Sequence, residues 1–331
     1  MKKITVIITA FNRTLYIMEA FHSVVTQHIN GYEFEIIVVK NFTLETVDSF
    51  IESHNWIKVD GGDTPLCDYV FRGIQQSTGE FIFFLEDDDL FLPEKIIHVI
   101  EKMRNLDLDF YHNAYIPRDN KQRTIKGKLY SQLKQDLMIN SSNISYKQIT
   151  KIMKIKGDIN LSSMCINRRI VDDKFKKLSI LSAGPDWFML FSALENGKRL
   201  FFDHEALSIY RIHDSTVNSP SSKIDSFMKN RIKLLKKEIY SLGLMYDLFV
   251  NTEIRRIINA RLNTDLVQCE IIESNKRLIL FSKLFNKKVF FNVRNDFFGK
   301  FLIFLYLLKL ISPKITLNIY YKILKQLSYG K

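Results

Sequence analysis

The architecture of this chain follows from one stretch, Phe81-Ile82-Phe83-Phe84-Leu85-Glu86-Asp87-Asp88-Asp89, in which an apolar run leads into four consecutive acids. A short apolar run is typical of a strand that is buried on both faces of a parallel sheet. Ligands bind at the C-terminal ends of strands in open α/β sheets. Carboxylate oxygens suit Mg²⁺ or Mn²⁺, which also bridge to phosphates. The stretch therefore predicts a site for a divalent cation and a diphosphate at the end of a central strand.

Apolar runs and helical periods alternate around this stretch. Runs rich in β-branched residues predict strands over residues 4–11, 34–39 and 56–60, with helices between them. Strands separated by helices of this length favour a mainly parallel sheet with right-handed crossovers. Residues 116–156 are polar and basic, which predicts a loop with short helices over the site. Beyond them, residues 159–166 are predicted to form a further strand. The chain is therefore expected to be an α/β protein.

The excess positive charge lies in the last third of the chain. The net charge is +12, and residues 223–331 hold 21 Lys or Arg against 8 Asp or Glu. Such a tract predicts an anionic partner, and we expect an anionic membrane surface. Packing on the catalytic domain or a homodimer contact stays open as the alternative. No base-stacking motif accompanies the charge, so we expect no nucleic-acid partner.

The apolar residues of this basic region fall into helical patterns. Ile315, Ile319, Ile323 and Leu327 recur every four residues. The apolar stretch over residues 301–311 is shorter than the ~20 residues that a membrane-spanning helix needs, so we expect helices lying on a surface. We divide the chain into a catalytic domain at residues 1–218 and a basic helical extension at 219–331, with Ser219-Pro220-Ser221-Ser222 as linker.

Three cysteines are widely spaced along the chain, at Cys67, Cys165 and Cys269. An odd number with no close pair is typical of free thiols in a reducing compartment. We therefore expect a cytoplasmic protein, with peripheral attachment to the cytoplasmic face of the membrane as a further expectation.

Five blocks resemble those of family 2 glycosyltransferases, which have the GT-A fold. The acidic stretch continues through Leu90-Phe91-Leu92-Pro93-Glu94-Lys95 and resembles that family's LDADDxxxPxKL block. The other four blocks are Val6-Ile7-Ile8-Thr9-Ala10-Phe11-Asn12-Arg13, Thr78-Gly79-Glu80-Phe81-Ile82, Pro185-Asp186-Trp187-Phe188-Met189-Leu190 and Ser208-Ile209-Tyr210-Arg211-Ile212-His213. Their order is also that of the family, which makes the combined resemblance specific.

The resemblance implies a GT-A-type, Rossmann-like fold, in which a mixed, mainly parallel sheet is flanked by helices and followed by the helical extension. It also implies metal-dependent transfer of a sugar from a nucleotide-sugar donor to a hydroxyl of a saccharide or lipid-linked saccharide, mostly with inversion. Two alternatives stay open. One is transfer to a polyprenyl phosphate, and the other is a non-catalytic nucleotide-sugar-binding protein with a decayed site.

The resemblance also implies roles for individual residues. Asp186 matches the catalytic base, and Glu86, Asp88 and His213 match positions at the divalent cation. The donor-binding positions are Ala10, Phe11, Arg13, Lys40, Asp68, Glu86, Asp87 and Arg211. Plainer alternatives remain: Asp186 would also stabilise a helix N-terminus, His213 would be an ordinary loop histidine, Arg211 a structural ion pair, and Arg13 a surface residue at the start of a helix.

The end of the second predicted strand departs from the family pattern. It reads Val38-Val39-Lys40-Asn41, where the family has acids that contact the nucleotide base. A lysine cannot accept a hydrogen bond from a base N–H. The resemblance favours a UDP-sugar as the donor, but Lys40 leaves recognition of the base open, and a GDP-sugar is the alternative. If the protein selects UDP, we expect another acid, such as Asp68, to replace the missing contact.

Overall fold

A computed structural model describes residues 2–29, 31–121, 123–125, 133–213, 224–273 and 297–329. The chain forms two compact units, of which the first comprises Met1–Thr124 and Ser131–Arg211 and the second Ile125–Tyr130 and Ile212–Lys331. The predicted linker at residues 219–222 lies outside the described residues, and the domain boundary at 218 stays a prediction.

The first half of unit one is a parallel sheet of alternating strands and helices. Its elements are β1 (Lys2–Ala10), α1 (Ile17–Val25), β2 (Tyr32–Lys40), α2 (Glu45–Ser53), β3 (Ile57–Asp60), α3 (Leu66–Gln76) and β4 (Phe81–Glu86). The strands are parallel in the order β3-β2-β1-β4. In this register Ala10 lies opposite Lys40, and Thr9 lies opposite Glu86. The C-terminal ends of three strands therefore share one edge.

The second half of unit one extends this sheet with antiparallel strands. It contains β5 (Leu90–Phe91), α4 (Lys95–Asn105), β6 (Phe110–Asp119), β7 (Leu137–Asn140), α5 (Tyr146–Lys154), β8 (Met164–Asn167), α6 (Pro185–Asn196) and β9 (Arg199–Ile212). Antiparallel pairs join β4 to β8, β8 to β6, and β9 to both β5 and β7. The mixed sheet flanked by helices is thereby confirmed.

Two local predictions differ from the structure. Residues 116–156, where we expected a loop with short helices, contain the short helix α5 but also the end of β6 and the strand β7. The strand predicted over residues 159–166 is shortened to β8, because Leu161–Ser163 forms a 3₁₀ turn. Asn160 causes this turn: its φ is 69°, and its side-chain oxygen accepts a hydrogen bond from the Ser162 N–H at 3.1 Å. Asparagine tolerates this left-handed conformation better than most residues.

The main core lies on one face of the central strands. Alternate residues of β1 and β4 point to this face and pack with helices α1 and α4. The buried members from these elements include Ile4, Val6, Ile8, Phe21, Val24, Phe81, Phe83, Leu85, Ile96, Val99, Ile100 and Met103. This packing fixes β4 next to β1, and so fixes where the acids begin.

Unit two is helical over its described residues, and this confirms the predicted C-terminal helical region. Its helices are α7 (Ile224–Leu248), α8 (Thr252–Ile272), α9 (Phe297–Ile311) and α10 (Pro313–Tyr329). A separate core joins them through residues such as Leu235, Ile271, Leu302, Leu305 and Tyr320. Within the described part of the chain, no helix combines the length and apolarity needed to cross a bilayer.

Candidate active site

The four acids form a tight turn at the shared strand edge. The Asp89 N–H donates to the Glu86 carbonyl at 3.1 Å, which closes the turn. The Asp87 N–H donates to the Thr9 carbonyl at 3.1 Å, which ties the turn to β1. Asp87, Asp88 and Asp89 are buried, whereas Glu86 is half-buried. The apolar strand β4 thus places the four carboxylates together at the C-terminal edge of the parallel strands, where the sequence predicted them.

Arg13 lies against this acidic turn. Its Nη2 is 2.5 Å from Asp87 Oδ1, and its Nη1 is 2.6 Å from Asp88 Oδ2. The loop after β1 turns back because Asn12 has a φ of 54° and is held by Asn41. The Asn12 N–H and the Asn41 side-chain amide each donate to the other residue's Oδ1 at 3.0 Å. Arg13 is therefore part of the site and not a free surface residue.

Negative charge at the turn exceeds what Arg13 compensates. Burial, followed by the charges of Asp88, Asp89 and Asp186, raises the pKa of Glu86 well above its usual value. Burial also raises the pKa of Asp87 to about 6, although Arg13 opposes this shift. Burial would lower the pKa of Arg13, but its contacts with Asp87 and Asp88 raise it. A further cation at the turn would relieve this repulsion, so the donor set fits a divalent ion.

Asp186 reaches the acidic turn from a distant part of the chain. It lies in the first turn of α6, which begins after Gly184 in a left-handed conformation with a φ of 80°. Its Oδ1 accepts a hydrogen bond from the Trp187 N–H at 2.9 Å. Its charge acts on Glu86, as the raised pKa of Glu86 records. The helix therefore supports a half-buried carboxylate beside the predicted metal ligands.

Arg211 holds the acidic turn from β9. Its backbone N–H donates to Asp89 Oδ1 at 3.0 Å, and its Nε donates to the Asp88 carbonyl at 2.9 Å. Its Nη2 donates to Glu19 at 2.7 Å, and its guanidinium lies 4.3 Å from the centre of the Tyr16 ring. These contacts agree with the structural alternative, since the buried guanidinium binds the protein itself. A direct contact with the donor stays a prediction.

Lys40 and Asp68 are both engaged by their own surroundings. Lys40 is buried, and its Nζ lies 2.9 Å from Asp48 Oδ1 and donates to the Phe42 carbonyl at 2.5 Å. Asp68 Oδ2 accepts hydrogen bonds from Thr64 Oγ1 at 2.8 Å and from Arg72 Nε at 2.7 Å. A donor contact by either residue stays a prediction, and it would compete with these bonds.

The other predicted residues are placed as follows. Ala10 is buried at the end of β1. Phe11 is exposed, and its ring packs roughly perpendicular to that of Tyr69, with 5.7 Å between the ring centres. His213 is buried, follows β9 and belongs to unit two. Its role at the metal stays a prediction.

A buried network behind the turn contains residues that we did not predict. Lys95 Nζ donates to the Ser162 carbonyl and, at 2.7 Å, to Ser208 Oγ. Ser162 Oγ accepts from the Glu86 N–H at 3.0 Å. Burial lowers the pKa of Lys95 to about 7. The sequence does hint at this network, because Lys95 shares one helix face with the apolar Val99. A charged side chain on such a face needs partners inside the protein.

A second cluster of potential metal ligands lies elsewhere in unit one. In the described ranges, one group of three has its ligand atoms within 4.8 Å of one another: Asp136, Asp203 and His204. Its members already pair, since His204 Nδ1 is 2.6 Å from Asp136 and Asp203 accepts from the Tyr111 hydroxyl at 2.7 Å. Asp203 precedes Arg211 by eight residues on β9, or about 26 Å. The cluster is therefore separate from the acidic turn.

Comparison with known proteins settles the family. The model of glycosyl transferase family 2 matches residues 5–175, which is more than half of the chain. The chain belongs to this family. It is therefore a glycosyltransferase, and the resemblance seen in the sequence blocks is confirmed.

Individual relatives and solved structures agree with this assignment. An uncharacterized glycosyltransferase of Rickettsia typhi is 25% identical over 251 residues, which are 71% of this chain and 72% of the relative. GalNAc(5)-diNAcBac-PP-undecaprenol beta-1,3-glucosyltransferase of Campylobacter jejuni is 25% identical over 225 residues, or 64% and 65% of the two chains.

Solved structures support the fold. S. aureus TarS 1-349 in complex with UDP-GlcNAc has a TM-score of 0.54 at 15% identity, covering 98% of this chain and 91% of TarS. The mannosyltransferase PcManGT from Pyrobaculum calidifontis, in complex with GDP-Man and Mn²⁺, has a TM-score of 0.51 at 11% identity. The match covers 91% of this chain and 84% of PcManGT. The GT-A-type fold is thereby confirmed.

The Lys40–Asp48 pair predicts a specific acid sensitivity. Burial would raise the pKa of Asp48, but hydrogen bonds from Lys40, Leu44 and Lys58 outweigh it and lower the pKa from 3.8 to about 2. The resulting stabilisation is present above pH 3.8 and is lost as the pH falls through about 2. We expect Asp48→Asn to reduce stability by about 1–2 kcal/mol above that window and to unfold with a weaker pH dependence within it.

Denaturant unfolding followed by tryptophan fluorescence measures this effect, because both tryptophans, Trp56 and Trp187, lie in unit one. The exposed Asp63 provides the control Asp63→Asn, which should unfold like the wild type. Equal pH dependence for Asp48→Asn and the wild type would show that the pair contributes nothing.

Proposed function

We propose that this glycosyltransferase moves a sugar from a nucleoside diphosphate sugar to an acceptor hydroxyl, with inversion at the sugar carbon. The observation that carries the proposal is the acidic turn at the edge where β1, β2 and β4 end, with Asp186 close enough for its charge to help raise the pKa of Glu86. A single base facing a diphosphate site suits direct displacement. The acceptor oxygen forms its bond to the sugar carbon as the bond to the diphosphate breaks.

A divalent cation, Mn²⁺ or Mg²⁺, would be held mainly by Asp88 and Glu86, with His213 as a further ligand. When bound, such an ion stabilises negative charge on a departing diphosphate. The fit is supported by the carboxylate donor set and by the uncompensated repulsion within it. Arg211 keeps the turn in shape through the Asp88 carbonyl and the Asp89 side chain.

Asp186 acts as the general base. Its place in the first turn of α6 favours the ionised carboxylate through the helix dipole, and its half-buried position leaves a face open to an acceptor. The proton of the acceptor hydroxyl passes to this carboxylate as the new glycosidic bond forms.

The donor is held by the loop after β1 and by the turn. Arg13 offers a positive charge to the diphosphate, while Ala10 and Phe11 line the nucleotide position. We favour a UDP-sugar, in line with the TarS complex with UDP-GlcNAc, over a GDP-sugar, as in the PcManGT complex. Since Lys40 and Asp68 are engaged internally, the ribose and diphosphate supply most of the donor's contacts.

The acceptor is a saccharide or a lipid-linked saccharide. The name of the Campylobacter jejuni relative, a glucosyltransferase of an undecaprenol-linked glycan, supports the lipid-linked class. We place the reaction in the cytoplasm, where buried free thiols such as those of Cys67, Cys165 and Cys269 are stable.

A panel of nucleotide sugars tests the donor class. Thermal shift with Mn²⁺ should be largest for UDP-sugars, smaller for GDP-sugars and absent for sugars alone, because ligands stabilise the state that they bind. The same panel without metal should give weaker shifts. An equal or larger shift with GDP-sugars would overturn the UDP assignment.

Removing the proposed metal ligand tests the cation. Asp88→Asn should lower donor hydrolysis and transfer by about 100-fold or more, because a charge that stabilises the leaving diphosphate is lost. It should also abolish the difference in donor binding with and without Mn²⁺. Asp173→Asn, on the exposed surface, is the matched control. Normal turnover in the Asp88 variant would place the metal elsewhere.

Removing the proposed base gives a different signature. Asp186→Asn should lose about 10²–10⁴ in the rate of transfer while it still binds the donor. Donor binding by calorimetry and thermal unfolding separate this outcome from a structural defect. Loss of donor affinity or of folding in this variant would make Asp186 a structural residue. Normal transfer to a polyprenyl phosphate would indicate an acceptor that is already ionised.

A further inference from the structure

One face of α9 is apolar and exposed. Phe304, Leu307 and Ile311 are 54%, 47% and 84% exposed, and Ile315 at the start of α10 is 53% exposed. Spacings of three and four residues place the first three on one face of the helix. Together these four side chains form a surface that we name the apolar ridge.

The opposite face of α9 already serves the core of unit two. Leu302, Leu305 and Tyr306 are buried there. Among the described side chains of α9, the single charged one is that of Lys309, whose Nζ donates to the Glu270 and Glu273 carbonyls at the end of α8. The helix is thus apolar on both faces, and a helix that is apolar all round is normally covered on both.

The charge beside the ridge identifies what covers it. Lys314, Asn318 and Lys322 recur every four residues and form the exposed face of α10 next to Ile315. Residues 297–331 contain six lysines and no Asp or Glu. An apolar strip rimmed by lysines is typical of helices that lie in the headgroup region of an anionic bilayer.

A second copy of the chain fits this surface less well. A two-fold contact through the ridge would place the same surface on both partners. The lysines of α10 would then face a segment that offers them no carboxylate. Anionic lipid phosphates supply the missing negative charge, and acyl chains accept the ridge.

We propose that unit two docks on anionic lipid bilayers through the apolar ridge, with Lys314 and Lys322 contacting lipid phosphates. Phe304, Leu307, Ile311 and Ile315 enter the boundary between headgroups and acyl chains. The helices lie on the membrane, since none in the described ranges is long and apolar enough to cross it. This docking goes beyond sugar transfer and needs neither donor nor acceptor, so the two proposals fail independently.

Flotation of the full chain with vesicles tests the docking. Vesicles of phosphatidylcholine with phosphatidylglycerol should carry the wild type at low salt, and added salt should weaken the binding. Pure phosphatidylcholine should carry much less. Phe304→Gln with Leu307→Gln and Ile311→Gln should lower binding by about tenfold or more, because three large apolar side chains no longer leave water.

Two further variants separate the contribution of charge from that of apolar contact. Lys314→Glu with Lys322→Glu should reduce binding to anionic vesicles and should have little effect on binding to neutral vesicles. Val250→Gln, at an exposed apolar position of unit two outside α9 and α10, is the matched control and should bind like the wild type. If the triple variant misfolds by circular dichroism, the single Ile311→Gln, at the most exposed ridge position, takes its place.

Several outcomes overturn the proposal. The wild type staying unbound at low salt would do so, as would equal flotation of the ridge variants. A wild-type dimer that dissociates in the ridge variant, together with no vesicle binding, would assign the ridge to a second copy of the chain instead.

Discussion

The constraint on which unit one depends is the crowding of four adjacent carboxylates, three of them buried, at the end of β4. In a low-dielectric environment these groups repel one another, and each loses hydration. Arg13 compensates Asp87 and Asp88, while Arg211 holds the Asp88 carbonyl and the Asp89 side chain. One arginine follows β1 and the other ends β9. The acidic turn is therefore stable only when both ends of the fold are in place.

The same constraint explains which parts of the site the sequence could predict. The apolar run of β4 and the acids after it are local signals, and the edge of a parallel sheet follows from them. The roles of Lys40 and Arg211 depend on partners brought in by tertiary structure, Asp48 on α2 and Glu19 on α1. The sequence alone predicts that Lys40, at the end of a strand, can bind a ligand. In the fold, Lys40 forms an ion pair with Asp48 of the next helix instead.

The strands after α4 were harder to predict for a related reason. β7 is four residues long, and Ile139 is its single buried side chain, so the apolar alternation is too short to recognise. β8 begins only after the turn at Asn160, and this turn takes up residues that the sequence pattern assigned to the strand. Both strands are defined by antiparallel partners far along the chain. Such pairings leave little periodic pattern in the sequence of the strand itself, whereas the parallel strands β1 to β4 are marked by their own apolar runs.

The distribution of charge differs between residues 1–222 and the helical region that follows them. Residues 1–222 hold 27 Lys or Arg and 28 Asp or Glu, so the catalytic part gives an anionic surface no net attraction. The excess lies in the helical part, whose last segment has lysines and no acids. A catalytic part with little net charge can still concentrate negative charge at the turn, where the proposed cation would be held. For a lipid-linked acceptor, the proposed docking of the helical region on the membrane would raise the effective concentration of acceptor without any change to that turn.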